Sequence, residues 1–318
     1  MTVIKNLLKN VQENIPLAPY TTFKIGGPAK YFYAAKTALE IKQAMQFAKG
    51  LKLPYYVIGS GSNILVSDKG FDGLVIKLQN TDHKIQAEEV ICESGVPLGK
   101  IVNETVKNEL IGLECLIGIP GTIGGAIYGN AGAFNHSIGE FVKSVKVLNS
   151  DNLKEEVLAG EECKFDYRSS AFKEKKYIIL SAVLKLKKGD KLESEKIIKE
   201  YVAKRQGRHP AGPSAGSVFK NPLIKENQRV FEKLTERYPE LEEFKAIEKI
   251  PAGWLIEEYG LLGKKIGGAM VSKEHGNFII NTGGAKAEDV IMLISLIKQK
   301  IRVNFGIQLE EEIQYVGF

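Results

Sequence analysis

Two glycine-bearing stretches carry the residue types best suited to chemistry in this chain. Residues 118–132 place glycine at 118, 121, 124, 125, 129 and 132, with Pro120 and Asn130 among them. The other, Gly59-Ser60-Gly61-Ser62-Asn63, follows the apolar run Tyr55-Tyr56-Val57-Ile58. Each glycine gives up more chain entropy than alanine on ordering, so the longer stretch reads as an ordered loop rather than a helix or strand interior. Ile117, Ile119, Ile123, Ile127 and Tyr128 make it too apolar for a flexible linker. Bare backbone N–H groups and serine hydroxyls at such places can face the anionic oxygens of a diphosphate. The shorter loop lacks the Gly-Lys-Ser/Thr ending of a P-loop, and Ile64 stands where a dinucleotide fingerprint needs its third glycine. Either stretch alone also reads as tight turns in a β-rich domain. Two in one chain point to one long, phosphate-containing cofactor.

The elements that must position these loops follow from local pattern. Residues 1–20 read as an N-terminal helix and a loop, and Tyr31-Phe32-Tyr33 as a short strand. Thr37-Ala38-Leu39-Glu40 has capping-box spacing, with Ile41, Ala44, Met45 and Ala48 at helical intervals until Gly50. Strands are expected at 54–58, 64–66 and 74–78, which makes residues 1–78 a small α/β unit. In residues 79–188, Leu98, Ile101, Val102, Thr105 and Val106 mark a helix, and 142–148 and 177–186 read as strands. Between those strands a loop carries Tyr167 and Arg168. A charge-rich segment near 185–199 marks a boundary and a helix whose apolar side is Ile197, Ile198, Tyr201 and Val202. The third unit, 189–318, holds a short amphipathic helix with the only tryptophan, Trp254. It also holds a long helix marked by Val290, Leu293, Ile294, Ile297 and Ile301 and ended by Gly306. In the closing strand, 307–316, Ile307, Leu309, Ile313 and Tyr315 alternate with Gln308, Glu310, Glu312 and Gln314.

The 318 residues, 44% hydrophobic and 26% charged, suit a globular protein of two or three domains. A net charge of +6 fits a phosphate-bearing small molecule, and without a basic stripe it gives no case for nucleic acid. No apolar run approaches a membrane span, and the N-terminus has no signal-peptide core, so a cytoplasmic protein is expected. Three scattered cysteines (Cys92, Cys115, Cys163) read as free buried thiols. Four separated histidines, with those cysteines, offer no metal-ligand spacing.

Taken together, Ile58 to Val66, Ile117 to Ala133, Phe165-Asp166-Tyr167-Arg168-Ser169-Ser170, Ala215-Gly216-Ser217-Val218-Phe219-Lys220-Asn221-Pro222, Ala252-Gly253-Trp254-Leu255, His275-Gly276-Asn277-Phe278 and Leu309-Glu310-Glu311-Glu312 closely resemble the UDP-N-acetylenolpyruvoylglucosamine reductase (MurB) family. The resemblance runs over about residues 21–317, in the subtype that lacks an extra tyrosine-bearing insertion. It implies an α+β chain: a two-part FAD-binding fold of the vanillyl-alcohol-oxidase/PCMH type (1–78 and 79–188) and a C-terminal α+β domain (189–318) for a UDP-sugar. It further implies a monomeric oxidoreductase in which NADPH reduces bound FAD. Hydride then passes from flavin N5 to the enolpyruvyl group, giving UDP-N-acetylmuramate for peptidoglycan.

Such a reaction builds enolate charge that must be stabilised, then needs a proton. Arg168 supplies a permanent cation whose planar fork matches a carboxylate, and the family's catalytic arginine stands in this Tyr-Arg motif. By the same resemblance Ser217 is the proton donor and Glu312 the catalytic glutamate, with Glu310 and Glu311 as near decoys. The family's FAD contacts carry over to Thr22, to the pyrophosphate loop Ile58, Gly59, Ser60, Gly61, Ser62 and Asn63, and to Gly118, Pro120, Gly121, Gly124, Gly125, Asn130, Ala131 and Gly132. Its substrate contacts carry over to Tyr128, Tyr167, Arg205, Lys220 and Asn221. Two departures stand out: Gln314 where the family often has arginine, and Arg208-His209-Pro210 where it usually ends Lys-Gln-Pro, which weakens a diphosphate role for Arg205 and Arg208. His275 reads as a packed structural residue. The rival readings are an FAD-dependent sugar or alcohol oxidase of the same fold and a non-catalytic UDP-sugar-binding module.

Overall fold

The structure, a computed structural model, describes residues 7–207 and 209–318. Arg208 and residues 1–6, on which part of the expected N-terminal helix falls, lie outside the described residues. The chain forms two compact units assembled from interleaved segments: Met1–Ile15, Pro28–Gly61 and Phe71–Gln206 in the first; Pro16–Gly27, Ser62–Gly70 and Gly207–Phe318 in the second.

Among the described residues the first unit holds a four-stranded and a five-stranded sheet beside two small two-stranded ones. In the four-stranded sheet, the parallel strands Pro28–Ala35, Phe71–Leu78 and Tyr55–Ile58 lie side by side, with Gln12–Pro16 beyond Pro28–Ala35. Helix α1 (Ala38–Gly50) makes the crossover from Pro28–Ala35 to Tyr55–Ile58, the two parallel strands on either side of Phe71–Leu78, and buries Ile41, Ala44, Met45, Phe47 and Ala48. The expected capping box is half formed: Thr37 Oγ1 caps the helix, accepting from Glu40 N at 3.1 Å, while Glu40 Oε2 reaches one residue further back and accepts from Lys36 N at 2.6 Å. The five-stranded sheet is antiparallel, in the order Glu155–Ala159, Val142–Asn149, Tyr177–Lys185, Glu89–Glu93, His83–Gln86. Helix α2 (Leu98–Lys107) buries all five residues expected of its apolar face.

Two local expectations for this unit are corrected. Residues 12–16 are a strand, not a loop. This edge strand alternates only between exposed and half-buried positions, so it lacks the apolar period by which strands are recognised. Within the glycine stretch, Ile123–Gly129 is an α-helix, α3, despite its three glycines. Thr122 caps it, and Gly124 is packed so closely that a Cβ there would lie 2.7 Å from Ser94 Cβ. Burial of Ile123, Ala126 and Ile127 outweighs the propensity cost of the glycines, about 1 kcal/mol each. Helix α4 (Lys191–Arg205) completes the unit. The buried Glu114 carboxylate accepts from Ser194 Oγ on it at 2.7 Å.

The second unit gathers Phe23, Leu65, Phe219, Phe231, Leu255, Leu293, Ile307 and Leu309 into one core. This unit has helices α5 (Gln228–Arg237), α6 (Ala252–Glu258) and α7 (Ala287–Phe305) and the antiparallel strands Lys265–Ile266, Ala269–Val271 and Ile279–Asn281, with α7 packed on α6 and on the first two of those strands. Asp68, from the 62–70 excursion, accepts from the first-turn N–H groups of α7, at 3.1 Å from Ala287 and 3.4 Å from Glu288. A carboxylate there satisfies orphan donors and complements the helix dipole. The expected long closing strand is shorter than the alternation suggested. Only Gln314–Val316 is strand, parallel to Ile64–Val66, and a bend at Ile313 leaves Tyr315 exposed while Val316 is buried. Among the described residues no helix is long and apolar enough to cross a membrane.

Candidate active site

In the first unit the two glycine stretches touch. A Cβ on Gly59 would stand 2.4 Å from Thr122 Oγ1, so the backbone of one loop rests on the helix cap of the other. The half-buried Lys77 donates Nζ to the Gly59 carbonyl, and burial lowers its pKa from the usual lysine range. A cation thus sits at the loop where a diphosphate was expected. Not every glycine amide is available to an anion: Gly124 N donates to Ser94 O at 2.8 Å and Gly125 N to Thr122 Oγ1 at 3.3 Å. Burial raises the pKa values of Tyr56 and Tyr128, which keeps both phenols neutral donors.

Arg168 belongs to the same unit, and the C-terminal end of α3 holds it. Residues 166–169 form a tight turn closed by Asp166–Ser169 backbone bonds of 3.0 and 3.1 Å. Asn130, which ends α3 at φ 44, donates Nδ2 to Asp166 O at 2.8 Å, and Ser170 Oγ donates to Tyr128 O at 2.7 Å. Arg168 takes a left-handed backbone, φ 52, and its Nη1 donates to Gly132 O at 2.9 Å. Its guanidinium lies 5.6 Å from the centroid of the Tyr167 ring. Gly132 admits no side chain, since a Cβ would meet His136 O at 2.3 Å. The arginine loop is therefore docked on the glycine stretch through the Asn130 side chain and the Gly132 carbonyl, which sequence reading had set around the cofactor, and through the carbonyl of Tyr128, which it had set at the substrate.

Arg205 ends α4 beside Gly118, where a Cβ would lie 3.3 Å from Arg205 Cδ. Its Nε and Nη2 are buried and have no hydrogen-bond partner among the described residues. Burial lowers its pKa from the usual arginine range, the Cys115 side chain opposes that shift, and Arg168 adds to it. A guanidinium keeps its charge in proteins, so Arg205 holds unfilled donors ready for anionic oxygens. Glycines with no room for a Cβ, a lysine against the loop carbonyl and an unfilled arginine edge fit a diphosphate-bearing cofactor such as FAD.

The second unit holds Ser217 and Glu312 on paired backbone. Glu312 N donates to Val218 O at 2.7 Å and Lys220 N to Glu310 O at 2.9 Å, so residues 218–220 run against 310–312. Asn63 Nδ2 donates to Glu312 O at 3.2 Å, and Gln314 N donates to Asn63 O at 3.0 Å. The near decoys are engaged: Glu310 pairs with Lys220 at 3.2 Å and Glu311 with Lys298 at 2.9 Å. Asn221 Oδ1 accepts from Ala252 N at 3.0 Å, the first residue of α6, and Thr22 Oγ1 donates to Ser214 O at 2.7 Å. His275 packs on Phe278, and its Nδ1 accepts from Asn277 N at 3.1 Å.

Sequence reasoning missed Asn277 as an individual residue. It is buried, and its amide brackets Phe219, accepting from N at 2.9 Å and donating to O at 2.8 Å, while its own carbonyl accepts from Val218 N at 2.8 Å. Ser217 is held by this strand-like clamp. The quoted His275-Gly276-Asn277-Phe278 motif contained the signal. Among the described residues no cluster of His, Cys, Asp and Glu could hold a metal ion.

Residues 29–152 match an FAD binding domain, and residues 208–316 match the UDP-N-acetylenolpyruvoylglucosamine reductase C-terminal domain. The chain is 41% identical over 317 residues to the UDP-N-acetylenolpyruvoylglucosamine reductase of Carboxydothermus hydrogenoformans, covering 98% of this chain and 96% of that one. It is 37% identical over 318 residues to the enzyme of that name from Caldanaerobacter subterraneus, covering 99% and 97%. A crystal structure of UDP-N-acetylenolpyruvylglucosamine reductase from Thermus caldophilus superposes with a TM-score of 0.77 at 33% identity, covering 96% of this chain and 98% of that one.

Proposed function

The chain belongs to the UDP-N-acetylenolpyruvoylglucosamine reductase family, an FAD-binding α+β oxidoreductase family, and on that premise we propose that it reduces the enolpyruvyl group of UDP-N-acetylglucosamine enolpyruvate with electrons from NADPH. Residues 58–63 and 118–132, with Lys77, would hold the cofactor's diphosphate and ring. Bound there, FAD supplies the hydride. The spans 1–78 and 79–188 would serve the cofactor and 189–318 the UDP-sugar.

Arg168 binds the substrate carboxylate through its fork and bears the charge that builds there. Its bond to Gly132 O, with the Ser170 bond to Tyr128 O that pins the same loop, fixes the guanidinium before substrate arrives, which avoids reorganisation during the reaction. Ser217 holds a proton at Oγ and passes it to the carbon that carries the negative charge. Glu312 is the second group that relieves the enolate charge. The observation that carries this reading is the 2.7 Å bond from Glu312 N to Val218 O, which supports a joint role for Ser217 and Glu312.

The test is an anaerobic titration of the purified protein, first with NADPH and then with the enolpyruvyl sugar, followed by flavin absorbance. Bleaching by the first and recovery by the second is expected. A colourless protein that releases no flavin on denaturation refutes the reading. So does a reduced flavin that oxygen reoxidises and the enolpyruvyl sugar does not.

A further inference from the structure

Gly132–Ala133 and His136–Ser137 form a hairpin in the first unit, pairing Ala133 with His136. Its two central residues, Phe134 and Asn135, both take left-handed backbone, φ 53 and φ 64. A two-residue hairpin of this kind requires positive φ at both positions, and asparagine or glycine meets that demand at least cost. Asn135 does so. Phe134 does not: a bulky aromatic side chain in this region is uncommon and strained. Strain of this sort persists only where the surroundings demand it.

What the surroundings demand is the ring. Phe134 stacks on Tyr201 of α4 with centroids 3.9 Å apart and planes 6° from parallel. The Arg205 guanidinium carbon lies 5.3 Å from the Phe134 centroid. On the Gly118 side, Arg205 Cδ leaves only 3.3 Å to the place a Cβ would take. The guanidinium is thus held by an aromatic face and by a glycine that must remain a glycine. Its buried, unfilled donors are Nε and Nη2, the pair that forms the side edge of the fork. That edge matches two oxygens of one phosphate or carboxylate.

We propose that Phe134 is a positioning residue for Arg205, and that the strained hairpin is retained so that its ring holds the guanidinium edge ready for an oxyanion arriving with a ligand. This rests on the function proposed above, in which both FAD and the UDP-sugar bring a diphosphate. The fold therefore names the chemistry, and the two sources are separated by experiment.

The variants are Phe134→Asn, Phe134→Tyr and Arg205→Ala in the full-length protein. Asparagine suits φ 53, so Phe134→Asn should keep or raise the melting temperature. The readouts are the Kd of UDP for the holoenzyme by calorimetry and the Kd of FAD for the apoprotein by fluorescence quenching. One of them should weaken about tenfold or more in Phe134→Asn and in Arg205→Ala, with no further loss in the double variant. Phe134→Tyr should restore it. Loss in the UDP arm assigns the oxyanion to the sugar nucleotide, and loss in the FAD arm assigns it to the cofactor. A Phe134→Asn protein as stable as wild type, with both affinities unchanged, overturns the inference. A wild type that ignores UDP refutes the function proposed above, and the FAD arm then decides this one.

Discussion

Gly59→Ala tests whether contact between the two glycine stretches builds the cofactor loop. The backbone at Gly59 can accept alanine, because its φ is not among the positive ones. What forbids the methyl is Thr122: Oγ1 would be 2.4 Å away, Cγ2 3.2 Å and Cβ 3.4 Å. Thr122 is buried, so it cannot swing into solvent, and rotating Oγ1 away breaks its 3.3 Å bond from Gly125 N. Losing a cap costs about 1 kcal/mol, and overpacking about 1–3 kcal/mol, so the single variant should lose about 2–4 kcal/mol. Thr122→Ala alone should lose about 1 kcal/mol, the cap. In the double variant the atom at 2.4 Å is gone and the remaining Cβ lies at 3.4 Å, an ordinary contact. Its cost should again be about 1 kcal/mol, a coupling of about 2–4 kcal/mol between the two substitutions. Urea unfolding of the four apoproteins by far-ultraviolet circular dichroism measures that cycle. FAD titration should follow it, with affinity lost in Gly59→Ala and recovered in the double variant. A double variant as unstable as the sum of the singles would refute the contact.

Three further outcomes are expected. Ser217→Ala should leave flavin reduction by NADPH near the wild-type rate and slow reoxidation by the enolpyruvyl sugar by about 10²–10⁴; stopped-flow traces in which both half-reactions slow equally would deny Ser217 its proton. Asn277→Ala strands Phe219 N and O, at about 1–3 kcal/mol per buried unsatisfied group. It should lower the melting temperature and, through the loosened Ser217 strand, slow reoxidation more than reduction, whereas equal slowing would make Asn277 purely structural. Burial raises the thiols of Cys92 and Cys115 to about 12 and of Cys163 to about 11, against an ordinary 9.0. Because the folded values are raised, their contribution to stability is whole below about pH 9 and lost as pH climbs from there toward 11–12. Urea midpoints should therefore be flat through pH 8 and fall above 9, and a thiol reagent at pH 8 should label the cysteines only after denaturation.

What the sequence determined by itself is what neighbours along the chain decide. The Thr37 cap of α1, the buried face of α2 and the Gly306 stop of α7 were all legible, because capping and amphipathic period are written within a turn or two. The resemblance likewise gave the family, since its motifs are runs of adjacent residues. Tertiary structure alone decided the rest. The glycine-rich Ile123–Gly129 becomes helix because Gly124 must lie against Ser94, a contact that overrides propensity. The closing strand breaks at Ile313 because Gln314–Val316 answers to Ile64–Val66, not to its own alternation. Asn277 and Phe134 were unmarked for the same reason: one is defined by the Phe219 backbone and the other by Tyr201 and Arg205. The two compact units, each stitched from three separate segments, depend on burial shared between distant residues, which no local window records.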